Sequence, residues 1–242
     1  MIFIRRTSFA LLLLIPLFSF TQLRNDSLYV FKPSRVFDGI QMHEGWQVVV
    51  QKDTIKFAGL LNDIIPNSKI IEPPGCTLLP GLIEWHSHLF LHPYNETPWN
   101  DQVLKESRAE RVARATVHAR NTLLAGFTTV RDLGTEGADY DDVGLKTAIE
   151  RGIIPGPRML VATRAIVATG SYGPKELSND FDSPKGAAEA NGIEGITKEV
   201  RTQIGKGADV VKLYADYRWG LHRDAMPTFT IDELKKAVEV AG

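Results

Sequence analysis

The sequence has a single cysteine, Cys76, so an internal disulfide is excluded. It has no lysine- or arginine-rich stripe. Its 28 basic and 29 acidic residues intermingle to a formal net charge of -1, which argues against a nucleic-acid partner. Long apolar runs are scarce. The longest, Phe9 to Phe20, is broken by Pro16 and Ser19 and falls short of the ~20 residues a membrane-spanning helix takes. No Gly-x-Gly-x-x-Gly turn follows any strand candidate, which weakens a dinucleotide-binding reading. Cys76 sits in the turn-like Glu72-Pro73-Pro74-Gly75-Cys76, where a small filler role is expected rather than a reactive thiol.

What is present divides the chain in three. Arg5 and Arg6 precede the apolar run, the order of a secretory signal peptide over residues 1–21, which implies a secreted or periplasmic protein. Phe18-Ser19-Phe20 makes a poor cleavage site, so an uncleaved anchor is the alternative; after cleavage no membrane contact is expected. The absence of cysteine nearby argues against a lipoprotein. Residues 22–79 carry short β-forming runs, Tyr29-Val30-Phe31, Val48-Val49-Val50 and Thr54 to Ala58, with turn chemistry at Asp38-Gly39 and Ala58-Gly59. They read as part of a small β-domain.

From residue 80 to 242 strands and helices alternate. Strands are expected at Thr77–Leu89, Thr128–Arg131, Met159–Ala162 and Asp209–Tyr214. Helices are expected over about Gln102–Leu124, Asp141–Arg151, Ile193–Ile204 and from Thr230 onward, where Glu233 completes a capping box. Four βα units predict a parallel sheet, either doubly wound or the first half of a (β/α)₈ barrel. A closed barrel takes roughly 250 residues, more than follow Pro80.

In Glu84-Trp85-His86-Ser87-His88, strand alternation places His86 and His88 on one face, with Trp85 and Ser87 on the other. Two neighbouring imidazoles can grip one metal ion; two structural histidines are the plain alternative. Lys212 lies mid-strand among apolar neighbours, where an unpaired ammonium is costly. It is either paired with a carboxylate or a neutral amine able to take up carbon dioxide as a carbamate. Tyr214 shares its face and either donates to a substrate carbonyl or carboxylate or closes a packing layer. Arg164 and the Thr169-Gly170-Ser171-Tyr172-Gly173 loop follow the third strand as candidate substrate contacts, with simple connection as the alternative. His92, with Tyr94 and Asn95, is placed at the substrate mouth or read as an ordinary surface residue; His118 and His222 are not taken as ligands.

The succession Ser34-Arg35-Val36-Phe37-Asp38-Gly39, Leu79-Pro80-Gly81-Leu82-Ile83-Glu84-Trp85-His86-Ser87-His88, Gly126 to Asp132, Ile154 to Arg158 and Gly207 to Lys212 resembles the amidohydrolase superfamily, in its imidazolonepropionase-like and prolidase-like branch. The resemblance implies a truncated (β/α)₈ TIM barrel of about four βα units, preceded by part of a small β-sandwich. It implies a metal-dependent hydrolase of non-cyclic amide bonds in dipeptides or N-acyl amino acids, with ring opening of a cyclic amide as the runner-up. His86, His88 and Lys212 become metal ligands, and Lys212, as carbamate, bridges two ions, expected to be zinc. Further ligands and an aspartate typical of the family are not found before Gly242, so the isolated chain is expected to be an inactive fragment. A homo-oligomer is left open. Trp85 departs from the family's usual small residue and is expected to face outward, toward covering helices.

Overall fold

The computed structural model describes residues 27–175, 177, 178, 180, 182–218 and 224–242. Residues 1–21 and His222 lie outside the described residues, and no described helix is long and apolar enough to cross a membrane. The chain divides into two compact units between Pro80 and Gly81.

The first unit is all β: β1 (Leu28–Phe31), β2 (Arg35–Phe37), β3 (Met42–Glu44), β4 (Gln47–Gln51), β5 (Thr54–Gly59), β6 (Ser68–Ile71) and β7 (Thr77–Leu78). Two sheets result, ordered β5-β4-β1-β6 and β3-β2-β7. Val30, Val36, Val48 and Val49 are its buried apolar residues. The turn from β2 to β3 is fixed by Asp38, whose Oδ1 accepts the N–H groups of Ile40 and Gln41, both at 2.8 Å. Cys76 is exposed rather than a filler, and what it contributes is its carbonyl, which accepts the Ser34 N–H at 3.0 Å.

The second unit runs β8 (Leu82–Ser87), α1 (Trp99–Lys105), α2 (Arg108–Leu124), β9 (Phe127–Asp132), α3 (Asp141–Glu150), β10 (Arg158–Val161), β11 (Ile166–Val167), β12 (Ala188–Glu189), α4 (Gly192–Lys206), β13 (Asp216–Arg218), β14 (Ala225–Pro227) and α5 (Ile231–Ala241). Strands β8, β9 and β10 pair in parallel, in that order. On α2, Arg111, Ala115 and Ala119 recur every fourth residue and are buried; the two alanines pack in the same core cluster as Val130 of β9. Helices α4 and α5 pack on Ile166, Val211 and Leu213 in the same way. With Val211 and Leu213 turned to the helices, Lys212 and Tyr214 face the opposite side.

Three expectations need correction. The strand Thr77–Leu89 is broken into β7 and β8 around Pro80, which has no N–H to give a ladder. The helix Gln102–Leu124 is two helices, because Ser107 takes an extended conformation and its Oγ accepts the Glu110 N–H at 3.2 Å, starting α2 afresh. The fourth strand, Asp209–Tyr214, is reduced to one bridge, Leu213 to Ile166. There the Asp209 side chain substitutes for the ladder: Oδ2 accepts the Val161 N–H at 2.9 Å, and both oxygens hold Lys146 Nζ. The capping box at Thr230 forms as expected, and Glu233 Oε1 also accepts the Gly192 N–H that opens α4, at 2.6 Å.

Two buried carboxylates clamp the loops that leave these strands. Asp132 accepts the Leu89 N–H (3.0 Å) and the Gly134 N–H (3.4 Å), joining the turns after β8 and β9. Asp142 accepts the Thr163 N–H at 2.8 Å, reaching the turn after β10. Burial pushes the Asp132 carboxyl up to about 8, reinforced by the charge of Asp142, which burial itself raises to about 6. A carboxyl whose folded pKa is raised keeps a proton that the unfolded chain has lost, so its contribution to stability declines as pH rises from about 4 to about 8. Melting temperatures at pH 5 and pH 8 should therefore differ less in Asp132→Asn than in the parent. Equal differences would remove Asp132 as the cause.

Gly81 stands where Thr128 bulges out of β9; a Cβ built on it would meet Thr128 Oγ1 at 2.1 Å and Cβ at 2.7 Å. Gly81→Ala should lower stability by about 1–3 kcal/mol through overpacking. In denaturant titrations the loss should be smaller on a Thr128→Gly background; a strictly additive pair would contradict the contact.

Candidate metal centre

The site is built at the C-terminal ends of the parallel strands, and its geometry begins with one extra residue. Between Glu84, opposite Val130, and Ser87, opposite Asp132, two β8 residues face one β9 residue, Arg131. The bulge overturns the simple alternation that placed Trp85 outward. Glu84 and Ser87 face Asn121 and Thr122 of α2, whereas Trp85 lies under the Arg131 guanidinium, 5.1 Å from its ring centroid, and is 54% exposed. Arg131 Nε also donates to the Trp85 carbonyl at 2.8 Å. His86 and His88 nevertheless come together, their ring centroids 5.3 Å apart.

Each histidine is oriented from the backbone. His88 Nδ1 lies 2.9 Å from the Gly134 carbonyl, which can only accept, so Nδ1 carries the proton and Nε2 keeps its lone pair for a metal. The His86 N–H donates to Glu84 Oε1 at 2.9 Å. Burial lowers the His86 pKa, and the positive charges of Lys212 and Arg131 lower it further. The Lys212 Nζ thus lies within electrostatic reach of His86 on the face opposite the helices. Burial also lowers the Lys212 pKa. Among the described residues, no carboxylate lies within ion-pairing distance of Lys212; its close neighbour is the Tyr214 ring, 5.0 Å from Nζ to centroid. Glu136 acts on it only at longer range, favouring the charged form.

Glu136 escaped the reading of the sequence. It is 2% exposed and sits at φ +51°, a left-handed conformation that side chains other than glycine rarely adopt. Its Oε2 accepts from Trp99 Nε1 (3.0 Å) and the Tyr172 hydroxyl (2.5 Å), and its Oε1 accepts from the Tyr214 hydroxyl (3.1 Å). The Tyr172 and Tyr214 rings stack at 4.7 Å, and burial together with Glu136 raises both phenols above their usual range. The available signal was positional: an acid in Gly134-Thr135-Glu136-Gly137, just past a strand end. Arg111 was missed for a different reason, since its guanidinium is 1% exposed and donates to the Phe90 (3.4 Å) and Thr135 (2.6 Å) carbonyls from inside the apolar stripe of α2.

The remaining candidates separate. Arg164 is braced away from the histidines, donating to the Ala187 carbonyl at 2.9 Å and lying 3.8 Å from Asp139. His92 does reach an open cleft of about 410 Å³, which it lines with His88, Tyr94 and His118. Its backbone N–H is held by Gln102, and its ring lies 3.5 Å from Glu96 and 6.3 Å from His118. Tyr214 faces the site, but its hydroxyl proton already goes to Glu136. Among the described residues, no three histidine, cysteine, aspartate or glutamate side chains come together as a metal cluster. What these residues offer a divalent cation is therefore two imidazoles and an unpaired amine, a donor set that fits one side of a centre.

The amidohydrolase family profile matches residues 77–242. A crystal structure of a prolidase complexed with N-methylphosphonate-L-proline superposes with a TM-score of 0.74 at 27% identity, covering 89% of this chain and 53% of that one. A Xaa-Pro dipeptidase with methionine bound in its active site gives 0.73 at 25% identity, covering 89% and 54%. The ochratoxinase of Aspergillus niger is 29% identical over 184 residues, 68% of this chain and 36% of the relative. The chain thus spans a third to a half of the length of these proteins. A parallel α/β unit that carries paired histidines at the end of its first strand, and a match over most of the chain, place this protein in the amidohydrolase family.

Proposed function

We propose that the chain contributes the first part of the metal centre of a hydrolase that cleaves non-cyclic amide bonds in dipeptides or N-acyl amino acids. What supports this is the pairing of His86 with His88 at the strand end, with Lys212, which has no carboxylate at ion-pairing distance among the described residues, near enough for its charge to lower the His86 pKa. That end is where barrel enzymes place their chemistry. The prolidase and the Xaa-Pro dipeptidase, similar over 89% of the chain, support the choice of amide substrate.

His86 and His88 would hold the cation through imidazole nitrogens, with zinc the metal best matched to nitrogen and carboxylate-type donors. Lys212 would complete the set as a carbamate: its neutral amine adds to carbon dioxide and releases a proton, turning a cation into a bidentate anion that can bridge a second ion. Burial favours the neutral amine this addition needs. When bound, such ions lower the pKa of a water and polarise the scissile carbonyl. Gly134 holds His88 in the metal-binding tautomer, and Arg131 fixes the backbone at Trp85 beside His86. Because the described residues supply only this part of the donor set, the reading includes ligands from further sequence, a completed barrel and a β-sandwich around the first unit. It also includes export directed by residues 1–21. The chain by itself would then bind metal weakly and be inactive.

In a polypeptide that carries the remaining ligands, elemental analysis should find close to two ions per chain. Lys212→Ala should lose most of the metal and at least about a hundredfold in activity. Metal content and turnover both unchanged in that variant would eliminate the bridging carbamate. For the chain described here, His86→Ala and His88→Ala should each weaken zinc binding by about tenfold or more in competition with a chromogenic chelator; parent-like affinity in both would remove the paired histidines from the centre.

A further inference from the structure

A neutral imidazole can offer one nitrogen to a cation only while its ring proton is kept on the other. For His88 that proton rests on the Gly134 carbonyl, 2.9 Å from Nδ1. The carbonyl has no intrinsic direction, because glycine rotates freely on either side of its Cα. Gly134 sits at φ +138°, a conformation that residues with a Cβ rarely hold. What aims the carbonyl is therefore the set of partners on the two peptides that flank Gly134.

Those partners are polar and buried. The peptide that carries the carbonyl is held at its far end, where the Thr135 N–H donates to the Thr163 carbonyl at 3.0 Å. Thr163 is itself pinned at φ +60°, strained for a β-branched residue, with its N–H on Asp142 Oδ2 at 2.8 Å. The peptide before Gly134 is held by Asp132, whose Oδ1 accepts the Gly134 N–H at 3.4 Å. The other oxygen, Oδ2, accepts the N–H of Leu89, the residue directly after His88, at 3.0 Å. One carboxyl thus grips the backbone beside the imidazole and the backbone beside the group that takes its proton. Asp132, Thr163 and Asp142 are fully buried, so bulk water cannot replace a lost partner.

We infer that Asp132 is a positioning residue for His88: by spanning the Leu89 and Gly134 amides it presets the tautomer that leaves Nε2 bare, before any cation arrives. The inference rests on the reading of His88 as a metal ligand. Thr163 fixes one end of the Gly134–Thr135 peptide, and a peptide fixed at one end still swings about the glycine. Asp132 supplies the second point. Outer partners that orient a ligating histidine in this way are worth about ten- to a hundredfold in metal affinity.

The test begins with the ring ¹⁵N shifts of the metal-free chain at about pH 8, above the ordinary imidazole range. In the parent, the His88 ring, assigned by its absence in His88→Gln, should show a protonated Nδ1 and a bare Nε2. Asp132→Asn keeps the side-chain shape but has one accepting oxygen, so either Leu89 or Gly134 loses its acceptor. Its His88 ring should give the averaged shifts of mixed tautomers, while His43, held by Asp38 at 2.8 Å, should not move. Asp132→Ser, smaller and free of an opposing NH₂ group, should do the same. In competition with a chromogenic chelator, Asp132→Asn should bind zinc about tenfold more weakly than the parent. On a His88→Ala background it should lose nothing further. Mixed tautomers in the parent, a tautomer unchanged in both variants, a zinc loss that adds to that of His88→Ala, or failure of both variants to fold would each overturn the positioning role. If the tautomer responds to Asp132 but His88→Ala binds zinc like the parent, the positioning role stands and the metal-centre reading falls.

Discussion

One additional residue in the first parallel strand governs the rest of the site. Were β8 regular from Glu84 to Ser87, strict alternation would carry Trp85 to the helix side and Glu84 to the open face. Because Trp85 and His86 together oppose Arg131, the strand is locally advanced by one position. Arg131 answers the irregularity twice, by donating to the Trp85 carbonyl and by lying over its ring. The two imidazoles, two residues apart, share a face with or without this shift; what the shift re-aims is Trp85 and Glu84 beside them. A bulge beside a functional cluster re-aims the side chains next to it, and a guanidinium is well suited to holding one, since its planar fork serves both a carbonyl and an aromatic face.

Around that strand, the loops that carry the site are fastened by polar groups as well as by the apolar contacts of Leu89, Phe90 and Ala138. Arg111 joins the turns after β8 and β9 by donating to Phe90 and Thr135; Asp132 joins the same turns by accepting from Leu89 and Gly134. Glu136 gathers an indole and two phenols from three separate segments. Each of these groups is nearly or wholly buried. Removing one partner from such an arrangement exposes the others to the full cost of an unsatisfied buried group, which makes the arrangement rigid. The excursion between β11 and β12 is drawn in by the same means, through Tyr172 and through the reciprocal pairing of Thr169 with Asn191.

The sequence made the alternation of strands and helices legible because apolar periodicity and punctuation are local properties. The Thr230 capping box, the end of α3 at Glu150 and the inward parity of Lys212 could all be read within a few residues. What could not be read was long-range or conditional. Trp85 obeyed a register set by β9, not by β8 alone. The interruption at Ser107 turned on whether a serine would cap or continue a helix, a choice its chemistry permits both ways. Glu136 looks like any loop acid until the tyrosines, 36 and 78 residues further on, fold over it. Tyr214 was recognised as facing the site, yet the direction of its hydrogen bond could not be known without its partner.

The segment that carries Lys212 is moored at two points. At one, Asp209 replaces a strand ladder with its own carboxylate, shared between the Val161 amide and the ammonium of Lys146 on α3. At the other, Ile166 and its neighbours exchange backbone hydrogen bonds, the Ile166 N–H to the Lys212 carbonyl at 2.8 Å and the Tyr214 N–H to the Ile166 carbonyl at 3.0 Å. The amine thus hangs at the end of a tether whose upstream anchor is an ion pair on the outer, helical side of the sheet. Salt, or the loss of a single lysine on a distant helix, would slacken that anchor without touching any group that faces the histidines.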